Sequence, residues 1–175
     1  MPQCKGVEEV LARYQEVVPQ LFLSGPTSFA PIVRAAMRAV SETGGAYHIL
    51  LLLADGQVTP ANMPETVDAI VAASKLPLSI VMVGVGDGPW DDMHRFDDQL
   101  PERIFDNFQF VEFSLLAQRL KEGASRDAVE AEFALAALME VPEQVAAIER
   151  LGLVGKKADV KKLPAPLPPP PHVKG

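Results

Sequence analysis

The chain has 175 residues, of which 48% are hydrophobic and 22% charged, and this composition predicts one folded domain and excludes disorder along the whole chain. Its net charge of −7 argues against nucleic-acid binding, which relies on neutralising phosphates, and its longest apolar run, 49–54, is too short to insert across a membrane. The single cysteine, Cys4, excludes an internal disulfide and a cysteine-only zinc site, so we expect a cytoplasmic or nuclear location.

Apolar residues at helical spacing, and shorter continuous apolar runs, define the predicted elements of the chain. In chain order these are a helix at 6–18, a helix between Ser28 and Gly44, a strand at 47–54, a helix at 65–74, a strand at 78–85, a helix at 89–96, a strand at 108–113, and helices at 115–121, 126–140 and 143–151. The alternation of strand and helix predicts an α/β fold with a doubly wound parallel sheet, followed by C-terminal helices.

Two segments carry most of the information on organisation. The nearly continuous apolar run 47–54 is typical of a strand that is buried on both faces of a parallel sheet. Residues 154–175 are rich in lysine and proline and lack apolar periodicity, which predicts a disordered tail that favours the polyproline-II conformation. The predicted boundary therefore separates a domain at 1–153 from a tail at 154–175.

Polar side chains near one edge of the predicted sheet form a candidate metal site. Ligands of open parallel sheets bind beyond the carboxyl ends of the strands, where Asp55 is the first polar residue after its strand. Thr27 lies at the start of the preceding helix, and a hydroxyl with a carboxylate suits Mg²⁺. In the alternative interpretation, which the pattern alone favours, Thr27 or Ser28 caps that helix and Asp55 belongs to a turn.

Four segments, taken together and in order, resemble the von Willebrand factor A (vWA) domain of the copine family. They are Gly25–Pro31, Tyr47–Gln57, Ala69–Gly86 and Phe105–Phe110. The segments 87–91 and 96–98 resemble most closely the subgroup found in RING ubiquitin ligases of the plant type that carry a copine domain. The resemblance covers roughly residues 4–153 and implies a Rossmann-like vWA sheet.

The resemblance also implies a metal-ion-dependent adhesion site built by three loops. These carry an Asp-x-Ser-x-Ser motif, a threonine and an aspartate; Thr27 matches the second and Asp55 the third, whereas the first motif is absent from this sequence. We therefore expect a partial domain without its first strands, as from a truncated gene model or an internal start. Mg²⁺ binding should then be weak or absent, and the strand at 47–54 should become an exposed hydrophobic edge.

The function implied is protein–protein interaction, through a protein partner or substrate. The alternative is the substrate-binding or regulatory part of a RING-type ubiquitin ligase whose RING this chain, with one cysteine, cannot form, so we expect no ubiquitin transfer by the chain alone. In the tail, Leu167, Pro168 and Pro171 could dock in an EVH1- or SH3-type groove, and the alternative there is a plain linker.

Overall fold

The computed structural model describes residues 4–21, 26–98, 100 and 102–164, and the chain divides into two compact units. The first unit comprises Met1–Gly25 and Ala165–Gly175. Its described part holds α1 (Gly6–Val17) and a single turn of 3-10 helix at Val18–Gln20, and none of the residues in these two elements is buried. The helix predicted at 6–18 is thus confirmed.

The second unit, Pro26–Pro164, contains the sheet. Its elements are α2 (Ala30–Glu42), β1 (His48–Ala54), a 3-10 turn (Pro60–Asn62), α3 (Met63–Ala73), β2 (Leu78–Gly84), α4 (Asp91–Asp98), β3 (Phe108–Glu112), α5 (Phe113–Lys121), α6 (Arg126–Leu138) and α7 (Val141–Arg150). Every strand and α-helix predicted from the sequence is present, with ends that differ by a few residues, whereas the 3-10 turns were not predicted. None of the helices in the described residues is long and apolar enough to span a membrane.

The sheet of the described residues has three parallel strands in the order β1-β2-β3. Its register aligns His48 with Leu78 at one end of the β1–β2 pair and Ala54 with Gly84 at the other. Parallel strands require crossover connections, and α3 joins β1 to β2 while α4 joins β2 to β3. The predicted α/β class is confirmed at this level.

Helices cover both faces of β2 and β3. On one face, Ile80, Met82 and Phe108 join a buried cluster with side chains of α2, α3 and α4. On the other face, Val81 and Val83 join a smaller cluster with side chains of β3, α5 and α6. All seven residues of β2 are buried, as expected for the central strand of a covered parallel sheet.

The prediction that the first strand is buried on both faces is wrong for β1. Its side chains alternate between half-buried and exposed, and the exposed fractions of Ile49, Leu51 and Leu53 are 45%, 59% and 64%. Leu50 and Leu52 pack against the cluster that includes α2 and α3. The exposed hydrophobic edge expected from the missing first motif is confirmed, because β1 lies at an edge of the described sheet, where α5 and α6 leave one of its faces open. The apolar run alone could not reveal this.

The structure also differs from the disorder predicted for the start of the tail. The N–H of Gly155 donates to the carbonyl of Gly45 at 2.9 Å, and the N–H of Ala158 donates to Oγ of Ser41 at 2.9 Å. Ala158 and Leu163 pack against the larger core cluster. Residues 155–164 therefore lie along α2 as part of the second unit, held by backbone hydrogen bonds that leave no periodic signal in the sequence.

Candidate functional site

The loops that carry Thr27 and Asp55 meet beyond the carboxyl end of β1. The N–H of Thr27 donates to Oγ1 of Thr59 at 2.8 Å, and its carbonyl accepts from the N–H of Thr59 and from Nδ2 of Asn62, each at 3.1 Å. Thr59 and Asn62 follow β1 in the same loop as Asp55. Hydrogen bonds of the Thr27 backbone thus connect the two loops that the sequence predicts as a candidate metal site.

The alternative role of Thr27 or Ser28 as a helix cap is wrong. Helix α2 begins at Ala30, its N-cap is Phe29, and no side chain caps it. Oγ of Ser28 is buried without a hydrogen-bond partner among the described residues. Pro31 stands in the first turn of α2, where the N–H groups have no partner within the helix.

Asp55 is exposed and lies against the loop that follows β2. The carbonyl of Ala54 accepts a hydrogen bond from the N–H of Val85 at 2.8 Å. A Cβ at Gly86 would come within 2.0 Å of the Asp55 carbonyl oxygen, so only glycine permits this approach. The backbone around Asp55 is therefore held in place, while the residue itself is exposed.

The described residues do not fit a tight Mg²⁺ site. Mg²⁺ takes six oxygen ligands in near-octahedral geometry. Of the two predicted ligand residues, Asp55 supplies one carboxylate and Thr27 one hydroxyl. Among the described residues, no group of three or more His, Cys, Asp and Glu side chains could hold a metal ion. The same finding argues against a metal site around His94, which instead lies 3.9 Å from Glu112 and edge-on to Phe110.

In the described part of the second unit, β1 has an open edge. The N–H of His48 donates to the Pro77 carbonyl, and the Ala54 carbonyl accepts from the N–H of Val85. Every second residue of β1, from His48 to Ala54, therefore directs its backbone N–H and carbonyl towards β2. Since backbone groups alternate along a parallel strand, those of Ile49, Leu51 and Leu53 point outward. We call these three residues, with their outward backbone groups and exposed side chains, the β1 edge surface.

A cavity of about 430 Å³ lies between α7 and the loop that precedes β3, and no motif or periodicity predicts it. Asp106, Glu140 and Glu143 contribute carboxylates to its wall, with the guanidinium of Arg150 beside them. Partial burial, followed by the neighbouring charge of Asp106, raises the pKa of Glu140, although a hydrogen bond from Gln144 acts in the opposite direction. This cavity gathers negative charge away from the candidate metal site.

The predicted groove ligand in the tail is not tested. Leu167, Pro168 and Pro171 lie outside the described residues.

Comparison with known proteins identifies the family. A family model described as Copine matches residues 1–157. The E3 ubiquitin-protein ligases RGLG2 and RGLG1 of Arabidopsis thaliana are each 54% identical over 177 residues, which cover 95% of this chain but 37% and 36% of those proteins. Copine family protein 2 of Caenorhabditis elegans is 50% identical over 151 residues, covering 86% of this chain and 2% of that protein.

These matches and the α/β fold define the class of protein. The chain belongs to the copine family, as the motifs quoted from the sequence indicate. It spans between about a third and a half of the length of the E3 ligases that it matches.

Proposed function

We propose that the chain is a protein–protein interaction module and that the β1 edge surface is its docking site. One observation carries this proposal: within the described residues, a single strand leaves both its outward backbone groups and three large apolar side chains open. Open strand edges pair with extended segments of other chains. The main-chain hydrogen bonds then supply affinity, while the side chains of Ile49, Leu51 and Leu53 supply specificity.

The finer fold is part of the proposal. Copine membership, the parallel order β1-β2-β3 and the helices on both faces support a doubly wound, Rossmann-like vWA sheet. In such a sheet β1 is followed by the loop that carries Asp55, at the edge where ligands bind.

Mg²⁺ binding there is weak at most, because Thr27 and Asp55 supply few ligands. Calorimetry that finds a tight stoichiometric Mg²⁺ site, lost in Asp55→Ala, would contradict this.

A second candidate function is the substrate-binding or regulatory part of a ubiquitin ligase. It is favoured by the relatives named E3 ubiquitin-protein ligases, whose matches cover 95% of this chain. The chain has one cysteine, and a RING needs several thiolate ligands for zinc. The chain alone should therefore transfer no ubiquitin in an assay with activating and conjugating enzymes, and we propose a cytoplasmic or nuclear location.

The interaction proposal is tested by placing a charge on the open strand. With no other partner present, the β1 edge surface of a second copy can take the partner's place, so the pure protein should self-associate as its concentration rises. Leu51→Lys should weaken this association at least about tenfold, because an edge lysine opposes strand pairing. Sedimentation velocity over a range of concentrations measures the effect.

Leu135→Lys is the matched control. Leu135 has a similar exposed fraction, 68%, but lies on α6. It should leave the association unchanged. Equal weakening by the two lysines, or association that neither alters, would overturn the β1 edge surface as the docking site.

A further inference from the structure

Four exposed lysines surround one cavity of the second unit. Lys75 follows α3, whereas Lys156, Lys157 and Lys162 come from the segment after α7, and all four line the cavity. We call them the lysine patch. One carboxylate, that of Asp159, lies among them, 3.4 Å from Nζ of Lys162. The concentration of positive charge is notable in a chain with 16 basic and 23 acidic residues.

The segment that carries three of these lysines is fixed against α2. The guanidinium of Arg38 donates to the carbonyls of Val160 and Leu163 at 3.3 and 2.7 Å, and also to that of Pro164. At the other end, a Cβ at Gly45 would lie 2.4 Å from the carbonyl carbon of Gly155, so the two backbones are in direct contact. A surface held in this way loses little conformational entropy when a ligand binds.

The floor of the cavity is apolar. It has a volume of about 370 Å³, and Met37, Ala72, Leu76 and Leu163 contribute to its walls. The size is in the range of cavities that take small ligands or one or two large side chains. An occupant that matches both parts of the site has an apolar group for the floor and negative charges for the rim.

We infer that this cavity binds an acidic segment of a partner protein, whose apolar side chain enters the cavity while flanking carboxylates meet the lysine patch. The net charge of −7 disfavours a nucleic acid, because a long polyanion also experiences the acidic remainder of the chain, whereas a short segment meets the patch alone. A lipid headgroup could meet the lysines but would leave the apolar walls formed by Met37, Leu76 and Leu163 unoccupied. The site uses no residue of the β1 edge surface and goes beyond the function proposed above.

The test uses the whole chain and a short fluorescent peptide that has one leucine among several glutamates and aspartates. We expect binding with a Kd on the order of 100 µM, weakened by added salt. Replacing the peptide's leucine with serine should weaken binding about tenfold, because the serine peptide loses the burial of an apolar side chain in the cavity. The double variant Lys156→Glu/Lys157→Glu should weaken binding by at least about tenfold.

Two controls separate this site from general attraction. Lys121→Glu, at the C-terminal end of α5, changes the charge away from the cavity and should leave the peptide Kd within about twofold. Leu51→Lys should not affect it either, so failure at β1 and failure here are distinguishable. Unchanged thermal unfolding confirms that each variant is folded.

Three outcomes would overturn the inference. The first is equal binding of the leucine and serine peptides. The second is equal loss of binding in Lys121→Glu. The third is tighter binding of a single-stranded oligonucleotide, or of vesicles containing phosphatidylserine, than of the peptide.

Discussion

Two adjacent glycines after α2, Gly44 and Gly45, are required for different structural reasons. Gly44 and Gly45 both have positive φ, at 79° and 82°. A Cβ on Gly44 would meet nothing within 4 Å, whereas one on Gly45 would strike the backbone of Gly155 and Lys156. The first glycine therefore serves the turn alone, and the second also makes room for the segment that carries the lysine patch.

We predict that Gly45→Ala destabilises the protein more than Gly44→Ala. Both should cost about 1–2 kcal/mol for the left-handed conformation, and Gly45→Ala should in addition displace residues 155–164 from α2. Chemical denaturation measures the difference. Limited trypsin digestion should cleave at Lys156 and Lys157 faster in Gly45→Ala alone. Identical digestion of the two variants would contradict the docking of this segment.

Glu140 gives a prediction about pH. Its pKa is raised above the ordinary value of 4.5 by partial burial and by the charge of Asp106, so ionisation costs the folded state more than the unfolded state. The stability of the wild type relative to Glu140→Gln is therefore full below pH 4.5 and declines as the pH rises through the raised pKa.

Glu140→Gln should accordingly be more stable than the wild type at pH 7, by less than about 1 kcal/mol after allowance for solvent screening, and equal to it at pH 4. Urea denaturation at the two pH values measures this. Glu102→Gln, a change at an exposed position in the segment before β3, is the control and should alter stability equally little at the two pH values. A Glu140→Gln variant that is less stable at pH 7 would exclude the proposed cost.

At the scale of whole elements, two serines near helix starts differ in what they do. Oγ of Ser125 accepts a hydrogen bond from the N–H of Ala128 at 3.3 Å and caps α6. Oγ of Ser28, before α2, is buried without a partner among the described residues. A cap stabilises a helix, whereas a buried hydroxyl with no partner carries a cost of desolvation.

We predict that Ser125→Ala lowers the free energy of unfolding by about 1 kcal/mol and that Ser28→Ala leaves it unchanged or raises it. Thermal and chemical denaturation of the two variants provide the comparison. A loss of stability in Ser28→Ala equal to that in Ser125→Ala would mean that Ser28 caps α2 after all.

The sequence predicts the positions of helices and strands well, but it predicts poorly which of their faces are covered by other parts of the chain. The strands and helices follow from apolar periodicity, which is local, so β2 and α3 were placed within a few residues. The exposure of β1 depends on which strands and helices lie beside it. The run of leucines does not encode that, and the exposed edge was expected only from the missing first motif. Likewise, the backbone of residues 155–164 bonds to the Gly45 carbonyl, to Oγ of Ser41 and to the Arg38 guanidinium, and these contacts leave no pattern in the side chains of the segment itself.

The candidate site was predictable only as a pair of loops. The family motifs predict Thr27 and Asp55 as site residues, and in the structure their loops are connected through hydrogen bonds of Thr27 with Thr59 and Asn62. The lysine patch was missed because Lys75 is far in sequence from the other three lysines. The run Lys156-Lys157 was the available signal, and it was assigned to a disordered tail.

For the molecule as a whole, the central claim is that a copine-family chain offers an open strand edge to other proteins. β2 is buried along its length, while β1 pairs on one side alone among the described residues. An edge of this kind is an interaction surface as much as a structural liability. The lysine patch would add a second contact surface, which is positively charged at its rim, whereas the β1 edge surface consists of apolar side chains and backbone groups.

Amide hydrogen exchange along β1 tests that claim most directly. In dilute protein, the N–H groups of Ile49, Leu51 and Leu53 should exchange fast, because they point outward, whereas those of Leu50 and Leu52 should be protected by bonds to β2. When the protein associates, the three outward amides should become protected while β2 stays unchanged. If those amides are already protected in dilute protein, or remain fast in the associated state, the β1 edge is not the docking surface.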